Sequence, residues 1–265
     1  MKLKGKTVWI TGASSGIGRA LSLEAARMGA NLVLSARNTS ELKKLQQEAG
    51  LDGSRCLILP LDLKKYTQFA KPVATVIKKF GAVDILINNG GISQRSLAHE
   101  TKLPVYEEIM AVNYFGNIAL TLAVLPGMRA RKSGTIATIS SVAGKIGTPL
   151  RTGYSASKFA TNGFYDALRA ENYKENIQVT IVMPGFVNTN VSANALTGDG
   201  RRQGKKDAAI AAGISPEVCA AKAWQAIIAG KNEIYIAGAK ERFAVILNKF
   251  FPGLFAKVIR KAKVT

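Results

Sequence analysis

Tyr154 and Lys158 stand four residues apart in a segment with a helical pattern, so their side chains leave the same helix face. A phenol has an ordinary pKa of about 10 and is a poor base at neutral pH, whereas a nearby ammonium stabilises the phenolate and lowers that pKa. The spacing therefore suits proton exchange with a substrate oxygen. Because the same spacing also occurs on solvated polar helix faces, the pair indicates a catalytic function only when other motifs of the chain agree with it.

A glycine-rich turn follows the first strand-like run. Gly12, Gly16 and Gly18 have the spacing Gly-x3-Gly-x-Gly and precede a helix. Such a turn lets the backbone approach a pyrophosphate, whose charge the helix N-terminus favours. A tight connection alone is the alternative, and the position after the first strand favours the phosphate site.

The second strand-like run is followed by Arg37 and Asn38, without an Asp or Glu to accept hydrogen bonds from a ribose 2′-hydroxyl. Arg37 can instead pair with a 2′-phosphate and stack on adenine, which favours NADP over NAD. A solvated surface arginine is the alternative. Asp62, after the third run, stands where an adenine amino group would be recognised.

Seven runs rich in Val, Ile and Leu alternate with segments of helical length, at residues 7–11, 31–35, 55–61, 84–88, 134–140, 177–183 and 233–236. Their continuous hydrophobicity predicts a parallel sheet covered on both faces. The alternation predicts right-handed crossovers, and hence a doubly wound, Rossmann-like α/β fold with seven parallel strands. Ligands of such folds bind beyond the carboxyl ends of the strands.

The chain has 265 residues, which favours one domain over residues 1–239, and no metal site is predicted. Cys56 and Cys219 lack metal-ligand spacing and are interpreted as reduced thiols. The first residues show neither a signal peptide nor a transmembrane span, so we expect a cytoplasmic protein. The formal net charge of +20 predicts attraction to an anionic surface, whether lipid, nucleic acid or a phosphorylated ligand.

Two segments stand outside this pattern. Residues 186–214 form a long irregular stretch, which suits a mobile lid over a substrate site. Residues 240–265 form a basic amphipathic C-terminal extension, which Pro252 and Gly253 divide into two short helices. Its apolar face could cover its own core, another subunit or an anionic membrane surface, to which the protein would bind peripherally.

In order and spacing these motifs resemble the short-chain dehydrogenase/reductase family over about residues 5–240. The matching motifs are Thr11-Gly12-x3-Gly16-x-Gly18, Asp62, Asn88-Asn89-Gly90-Gly91, Asn113, Ser140-Ser141, Tyr154-x3-Lys158 and Pro184-Gly185. The segment Asn-Asn-Gly-Gly departs from the family's usual Asn-Asn-Ala-Gly by one methyl group. The peptides from Ser140 to Lys145 and from Tyr154 to Ala160 most resemble members acting on steroids, retinoids and other lipid-like carbonyls.

The resemblance implies catalytic roles for four residues. Tyr154 would exchange a proton with the substrate oxygen, and Lys158 would lower its pKa and bind the nicotinamide ribose. Ser141 would hold the substrate oxygen, and Asn113 would hold a water that relays protons near Lys158. His99, the single histidine, is interpreted as a surface or substrate-rim residue.

The resemblance also implies the contacts of the cofactor, NADP(H). The glycine turn would bind the phosphates, Asn89 and Gly90 would lie near the adenosine ribose, and the segment after the sixth strand would receive the nicotinamide carboxamide. The expected contacts are Gly12, Ser14, Ser15, Gly16, Ile17, Gly18, Arg37, Asn38, Asp62, Asn89, Gly90, Tyr154, Lys158, Pro184, Gly185, Val187 and Thr189.

These implications predict an NADP(H)-dependent oxidoreductase that interconverts a ketone or aldehyde and an alcohol on a lipophilic small molecule. The alternative from another class is a non-catalytic NADP-binding regulatory protein. Nucleic-acid binding is disfavoured, because the chain lacks a recognition motif or a basic groove interleaved with aromatic residues. By resemblance we also expect a homodimer or homotetramer, formed through the helices that carry Asn113 and Tyr154.

Overall fold

A single parallel sheet forms the centre of the protein, and the computed structural model describes residues 2–262. The sheet has seven parallel strands, as the sequence predicts, and their order is β3-β2-β1-β4-β5-β6-β7. The strands are β1 Thr7–Thr11, β2 Asn31–Ser35, β3 Cys56–Ile58, β4 Ile85–Asn88, β5 Gly134–Ile139, β6 Ile177–Pro184 and β7 Glu233–Ile236. Strand β3 is shorter than the predicted run, although the Leu59 N–H still donates to Leu34 C=O in β2 and the Leu61 N–H to Ala36 C=O just after β2. These bonds bring the chain to Asp62.

Helices cover both faces of this sheet, because alternate side chains of each buried strand point to opposite faces. In β1, Val8 and Ile10 join one core cluster and Trp9 joins the other, and all three are fully buried. The helices are α1 Gly16–Arg27, α2 Thr39–Glu48, α3 Ala70–Phe80, α4 Leu103–Met110, α5 Gly116–Ala130, α6 Thr152–Glu171, α7 Ala208–Ala211, α8 Pro216–Ile228, α9 Ala239–Phe250 and α10 Pro252–Ile259.

The strand order reverses between β1 and β4, which lie side by side at the centre of the sheet. Connections leave this point in opposite directions, which opens a crevice at the carboxyl ends of the two strands. Gly12 follows β1 there, and Asn89 follows β4. The topology therefore joins motifs that are more than seventy residues apart in sequence.

Helices α4 and α5 continue into each other through one π-helical turn, Ala111–Phe115. The combined helix, Leu103–Ala130, is the one described helix long and apolar enough to cross a membrane, with a mean hydropathy of 1.5. Half of its apolar window is buried in the protein, and Leu120 and Met128 are fully enclosed beside the sheet. Core helices of globular proteins pass the same test of length and composition.

Residues 186–214 contain only the short helix α7 and pack on the loop after β4. The backbone of Leu196 accepts a hydrogen bond from Arg95 N–H at 2.8 Å and donates one to Ser93 at 2.9 Å. The C-terminal extension forms helices α9 and α10, which meet at Pro252 as the sequence predicts. Residues 263–265 of this extension lie outside the described residues.

Candidate active site

The first turn of α6 carries Tyr154, and a side chain from the loop after β4 fixes its position. The fully buried Gln94 accepts hydrogen bonds through Oε1 from the N–H groups of Gly153 at 2.7 Å and Tyr154 at 3.4 Å. These are N-terminal N–H groups that no helical carbonyl can satisfy. Gln94 therefore caps the N-terminus of α6 with a side chain from outside the helix.

Ser141 contacts the Tyr154 hydroxyl from the turn that follows β5. The Ser141 hydroxyl acts as a hydrogen-bonding neighbour that lowers the pKa of the Tyr154 phenol. The same hydroxyl donates to Pro184 C=O at 3.4 Å and accepts from Ala143 N–H at 3.1 Å. The second of these bonds caps a short 3-10 helix, Val142–Gly144. The serine hydroxyl and the phenol therefore converge on one point at the carboxyl edge of the sheet.

Lys158 lies one helical turn behind Tyr154 and is buried. Its Nζ donates a hydrogen bond to Ile139 C=O at 2.8 Å and lies 5.8 Å from the centre of the Tyr154 ring. Burial lowers the pKa of this ammonium to about 8. The group can therefore gain or lose a proton much closer to neutrality than a surface lysine can.

Burial raises the pKa of the Tyr154 phenol above its ordinary value. Three neighbours act in the opposite direction, namely the Ser141 hydrogen bond and then the positive charges of Arg151 and Arg95. The sequence predicts that Lys158 lowers the pKa of Tyr154. The two arginines are a second source of positive charge that no family motif indicated.

Asn113 occupies the π-helical turn between α4 and α5. Its Oδ1 accepts from Ile92 N–H at 2.8 Å, and its Nδ2 donates to Ile92 C=O at 2.9 Å and to Ser157 Oγ at 3.0 Å. A Cβ atom added at Gly91 would lie 3.1 Å from Asn113 Oδ1 and 3.7 Å from Lys158 Nζ. Glycine at this position leaves room between the two polar groups, where the sequence predicts a relay water.

The glycine turn after β1 fits a pyrophosphate. Gly12 and Gly16 have positive φ values of 64° and 53°, and a Cβ at Gly18 would lie 2.2 Å from Gly12 O. Ser15 begins α1 in an extended conformation without a side-chain cap, so the first N–H groups of the helix stay available for an anion. Asn89 Nδ2 donates to Thr11 O and Gly12 O at 3.0 and 3.2 Å and so supports the turn.

Gly90 replaces the alanine that the family usually has, and a Cβ there would lie 2.6 Å from Leu63 Cδ1. Leu63 therefore occupies the space of the missing methyl group, and the N–H of Gly90 still donates to Thr11 Oγ1 at 3.0 Å. Glycine in place of alanine at position 90 therefore leaves the hydrogen bond between the ends of β4 and β1 in place.

Arg37 is exposed at the end of β2 and makes no hydrogen bond or ion pair within residues 2–262. Asn38 caps α2, because its Oδ1 accepts from Glu41 N–H at 3.3 Å. Asp62 caps the next short helix through Lys64 N–H at 3.0 Å and keeps its second oxygen for a ligand. The guanidinium group of Arg37 is thus available to an anion beside this part of the crevice.

The segment after β6 brings its residues to the same crevice. A Cβ at Gly16 would lie 3.0 Å from Thr189 Cγ2, so Thr189 borders the glycine turn. Val187 is buried beside it, and Gly185 N–H is bonded to Ile236 C=O at 3.0 Å, which anchors the start of the segment behind Pro184.

Several residues at the site were missed by sequence reasoning. Gln94, Arg95, Arg151 and Asp207 come from three distant segments and belong to no motif, so only the fold brings them together. Gly91 could have been identified from the sequence, since it is the last residue of the Asn-Asn-Gly-Gly motif. Within the described residues, no group of three or more His, Cys, Asp or Glu could hold a metal ion.

Comparison with known proteins identifies the family of this chain. Residues 6–199 match the family model of short chain dehydrogenases. A dehydrogenase/reductase SDR family protein 7-like of Anopheles gambiae is 45% identical over 264 residues, covering 98% of this chain and 83% of that protein. The dehydrogenase/reductase SDR family member 7B of Mus musculus is 40% identical over 261 residues, covering 97% of this chain and 81% of the relative.

Solved structures share the fold. A short-chain dehydrogenase/reductase from Burkholderia phymatum in complex with NAD superposes with a TM-score of 0.85 at 22% identity, covering 96% of both chains. A short-chain dehydrogenase from Streptomyces avermitilis gives 0.80 at 27% identity, covering 97% of this chain and 98% of the other. The chain therefore belongs to the short-chain dehydrogenase/reductase family, whose members are oxidoreductases that use a nicotinamide dinucleotide.

Proposed function

We propose that this protein is an NADP(H)-dependent oxidoreductase that interconverts a ketone or aldehyde and an alcohol on a lipophilic substrate. The observation that carries the proposal is the convergence of the Tyr154 hydroxyl and Ser141 in front of the buried Lys158. A bound cofactor supplies or accepts the hydride. The chain's own residues then have to hold the substrate oxygen and move one proton.

In the reducing direction, Ser141 orients the carbonyl oxygen, and Tyr154 donates its hydroxyl proton as the oxygen gains negative charge. The phenolate left behind is stabilised by the Ser141 hydrogen bond and by nearby positive charge. Lys158 and the space beside Gly91 provide a route for the replacement proton. The oxidising direction uses the same groups in reverse.

The test measures oxidation of NADPH with a panel of aliphatic aldehydes, aromatic ketones and steroid ketones. Tyr154→Phe should lower kcat by about 10²- to 10⁴-fold, the usual contribution of general acid catalysis, without weakening NADPH binding. Tyr173→Phe removes a hydroxyl from an exposed tyrosine and is the matched control. Full turnover by the Tyr154→Phe variant on an active substrate would refute the mechanism.

The preference for NADP rests on Arg37, which is exposed at the end of β2 with no partner in the described part of the chain. A guanidinium group pairs well with a 2′-phosphate. Arg37→Asp should raise the Kd for NADPH about tenfold or more, as expected for loss of a charged hydrogen bond, and should relieve selection against NADH.

Arg27→Asp is the matched control, because Arg27 is also exposed and lies on α1 with its partner Glu24. Equal losses in the two variants would assign the effect to net charge. An unchanged ratio of NADPH to NADH affinity in Arg37→Asp would refute the proposed role.

Access to a lipophilic substrate is proposed to run from an anionic membrane surface bound by α9 and α10. Six large apolar residues of these helices and their junction are more than half exposed, namely Phe243, Ile246, Phe250, Phe251, Leu254 and Val258. The cations around them are also exposed, namely Lys240, Arg242, Lys249, Lys257, Arg260 and Lys261. Apolar side chains among cations match an anionic bilayer in both respects.

This surface adjoins the catalytic site. Leu247 and Phe255 point inward and pack with Val142 and Ile146, on the turn that begins at Ser141. Deleting residues 240–265 would uncover this cluster and confuse membrane binding with stability. Point variants of the outward face are therefore the better test.

The test is sedimentation with vesicles of phosphatidylcholine, with and without phosphatidylserine. The wild-type protein should bind the anionic vesicles in a salt-sensitive manner, whereas the triple variant Phe250→Ser, Phe251→Ser and Leu254→Ser should lose most binding. Tyr173→Ser is the control, since Tyr173 is 69% exposed and lies outside the tail. Two results would contradict the proposal. One is that the triple variant binds anionic vesicles as strongly as the wild-type protein does. The other is that the wild-type protein binds neutral vesicles and DNA as strongly as it binds anionic vesicles.

The non-catalytic alternative predicts tight NADPH binding without turnover on any carbonyl.

A homo-oligomer is proposed through α5 and α6, where Leu122 and Phe159 are exposed apolar residues. Sedimentation velocity at several concentrations tests the oligomer, and Leu122→Ser should shift the population toward the monomer.

We propose a cytoplasmic location at the membrane surface, which fractionation of cells expressing the full chain would test.

A further inference from the structure

A buried cluster of three charges lies beside Tyr154, and none of them belongs to a family motif. Asp207 Oδ2 accepts from Arg95 Nε at 2.7 Å and lies 2.6 Å from Arg95 Nη2 and 3.7 Å from Arg151 Nη2. The three side chains are only 2%, 4% and 7% exposed. We call Arg95, Arg151 and Asp207 the arginine–aspartate cluster.

Stability alone is a poor reason for such a cluster. Removing three charges from water is costly, and apolar residues of similar volume often give an equal or greater free energy of unfolding. The neighbours are polar, since Ser93 Oγ accepts from Arg95 Nη1 at 2.8 Å and Asp207 Oδ1 accepts from Gln203 Nε2 at 2.9 Å. The charges are therefore held in fixed positions.

The cluster is built around the start of the catalytic helix. Arg151 immediately precedes α6 and stands three residues before Tyr154, while Arg95 follows Gln94, which caps the same turn. Asp207 comes from residues 186–214, which we call the covering segment because they pack on the loop after β4. The N–H group of Asp207 donates a hydrogen bond to Ser192 Oγ at 3.1 Å. Three segments that are far apart in sequence thus meet at one tyrosine.

The ionisable groups near Tyr154 come from several elements. Lys158 is on α6, Arg151 precedes this helix, and Arg95 is on the loop after β4. Asp207, on the covering segment, contacts both arginines. Tyr106 of α4 bonds to Thr152 Oγ1 at 3.0 Å in the same turn. The charges of Arg151 and Arg95 lower the pKa of Tyr154, against the effect of burial.

We propose that the arginine–aspartate cluster is a positioning device that sets how readily Tyr154 gives up its proton, with the arginines favouring the phenolate and Asp207 limiting their effect. The proposal rests on the proposed function, in which Tyr154 exchanges the proton. Because Asp207 lies on the covering segment, the electrostatic field at Tyr154 depends on that segment being packed.

The experiment uses substitutions whose effects have opposite signs. Asp207→Asn removes a negative charge, so the phenolate is favoured and the pH profile of kcat should shift toward acid by about one pH unit. Arg95→Gln removes a positive charge and should shift the profile toward alkali by a similar amount. Arg95→Lys keeps the charge but loses the two-pronged contact, so the profile should stay near that of the wild type while kcat falls.

Asp199 and Arg201 provide the matched control pair. They lie on the same covering segment, with Asp199 Oδ2 at 2.6 Å from Arg201 Nε, but the Arg201 side chain is 85% exposed. Asp199→Asn and Arg201→Gln should leave both the profile and kcat unchanged, because solvent screens exposed pairs.

A second readout does not need turnover. The phenolate absorbance of each variant, titrated with and without the additional Tyr154→Phe change, gives the pKa of Tyr154 directly. If the wild-type protein turns over no carbonyl, the proposed function fails while this titration still tests the cluster. If Asp207→Asn does not fold, the Arg95→Gln and Arg95→Lys variants decide. Unshifted titrations, or shifts of the same sign in Asp207→Asn and Arg95→Gln, would overturn the proposal.

Discussion

The proposed cofactor end and the proposed substrate end of the crevice lie on the same edge of the sheet but are formed by different parts of the chain. The cofactor end is mostly backbone, with glycines whose missing side chains let α1 start against the turn. The substrate end consists of side chains from three segments, joined by the buried contacts of Arg95 with Asp207. The glycine turn itself is local in sequence, whereas the arrangement of side chains around Tyr154 depends entirely on tertiary structure.

This difference predicts how each end responds to substitution. A backbone site fails when any atom enters its space, because the turn has no alternative conformation that keeps its N–H groups in place. A side-chain site fails when a contact between segments is lost, and the cofactor end should not be affected. The two ends should therefore be separable by mutation.

Gly18→Ala gives the largest expected effect at the cofactor end. A Cβ there would lie 2.2 Å from Gly12 O and 2.4 Å from Asn89 Nδ2, so the turn and α1 must move apart. We expect the Kd for NADPH, measured by fluorescence titration, to rise about a hundredfold, or about 3 kcal/mol.

Gly163→Ala is the control for this variant, because a Cβ at Gly163, inside α6, would have no heavy atom within 4 Å. It should leave NADPH binding unchanged and stabilise the helix by about 0.5–1 kcal/mol. Equal NADPH affinity in wild type and Gly18→Ala would show that the turn is not the phosphate site.

The contrast between the two ends also explains what sequence could predict. Strands β1, β2 and β7 have the predicted bounds, because each is a short apolar run bounded by polar or turn residues. The tight glycine turn was equally predictable, since its backbone geometry is encoded within seven consecutive residues.

The substrate end escaped prediction for a physical reason. Arg95 and Asp207 are 112 residues apart, and nothing in the sequence around either residue indicates burial. Arginine and aspartate are normally exposed, so the default interpretation of each is a surface charge. Only the packing of residues 186–214 on the loop after β4 makes them partners.

Lys158 stands between the two ends, and its substitution should separate activity from stability. Burial lowers the pKa of its ammonium from 10.5 to about 8, so the unfolded chain binds this proton more tightly than the folded chain does. The stability contributed by this group is therefore lowest below pH 8 and rises as the pH increases toward 10.5. Lys158→Met removes the penalty at neutral pH.

We expect Lys158→Met to abolish turnover and to raise the free energy of unfolding at pH 7 by about 2 kcal/mol, after a loss of about 1 kcal/mol for the hydrogen bond to Ile139. Urea unfolding without cofactor at pH 7 and near pH 10 measures this, and the gain should shrink at the higher pH. Lys174→Met, at an exposed position, should change neither quantity. A loss of stability at pH 7 would mean that the ammonium is better compensated than its burial implies.

Leu196→Ala tests the substrate end with the smallest expected effect. Leu196 lies on the covering segment and packs with Val105 and Ile109 of α4. Removing this contact should loosen the segment without unfolding the sheet, because the cluster is separate from the two main cores. The KM for a carbonyl substrate should rise about tenfold, the equivalent of about 1.4 kcal/mol, while the Kd for NADPH stays constant.

Leu42→Ala is the reciprocal control. Leu42 is fully buried on α2, in the core beside the cofactor end, and its loss should lower the free energy of unfolding by about 2–5 kcal/mol without raising the substrate KM. If Leu196→Ala weakens NADPH binding as much as substrate binding, the two ends are coupled, and the covering segment must then contribute to the cofactor site as well as to the cluster around Tyr154.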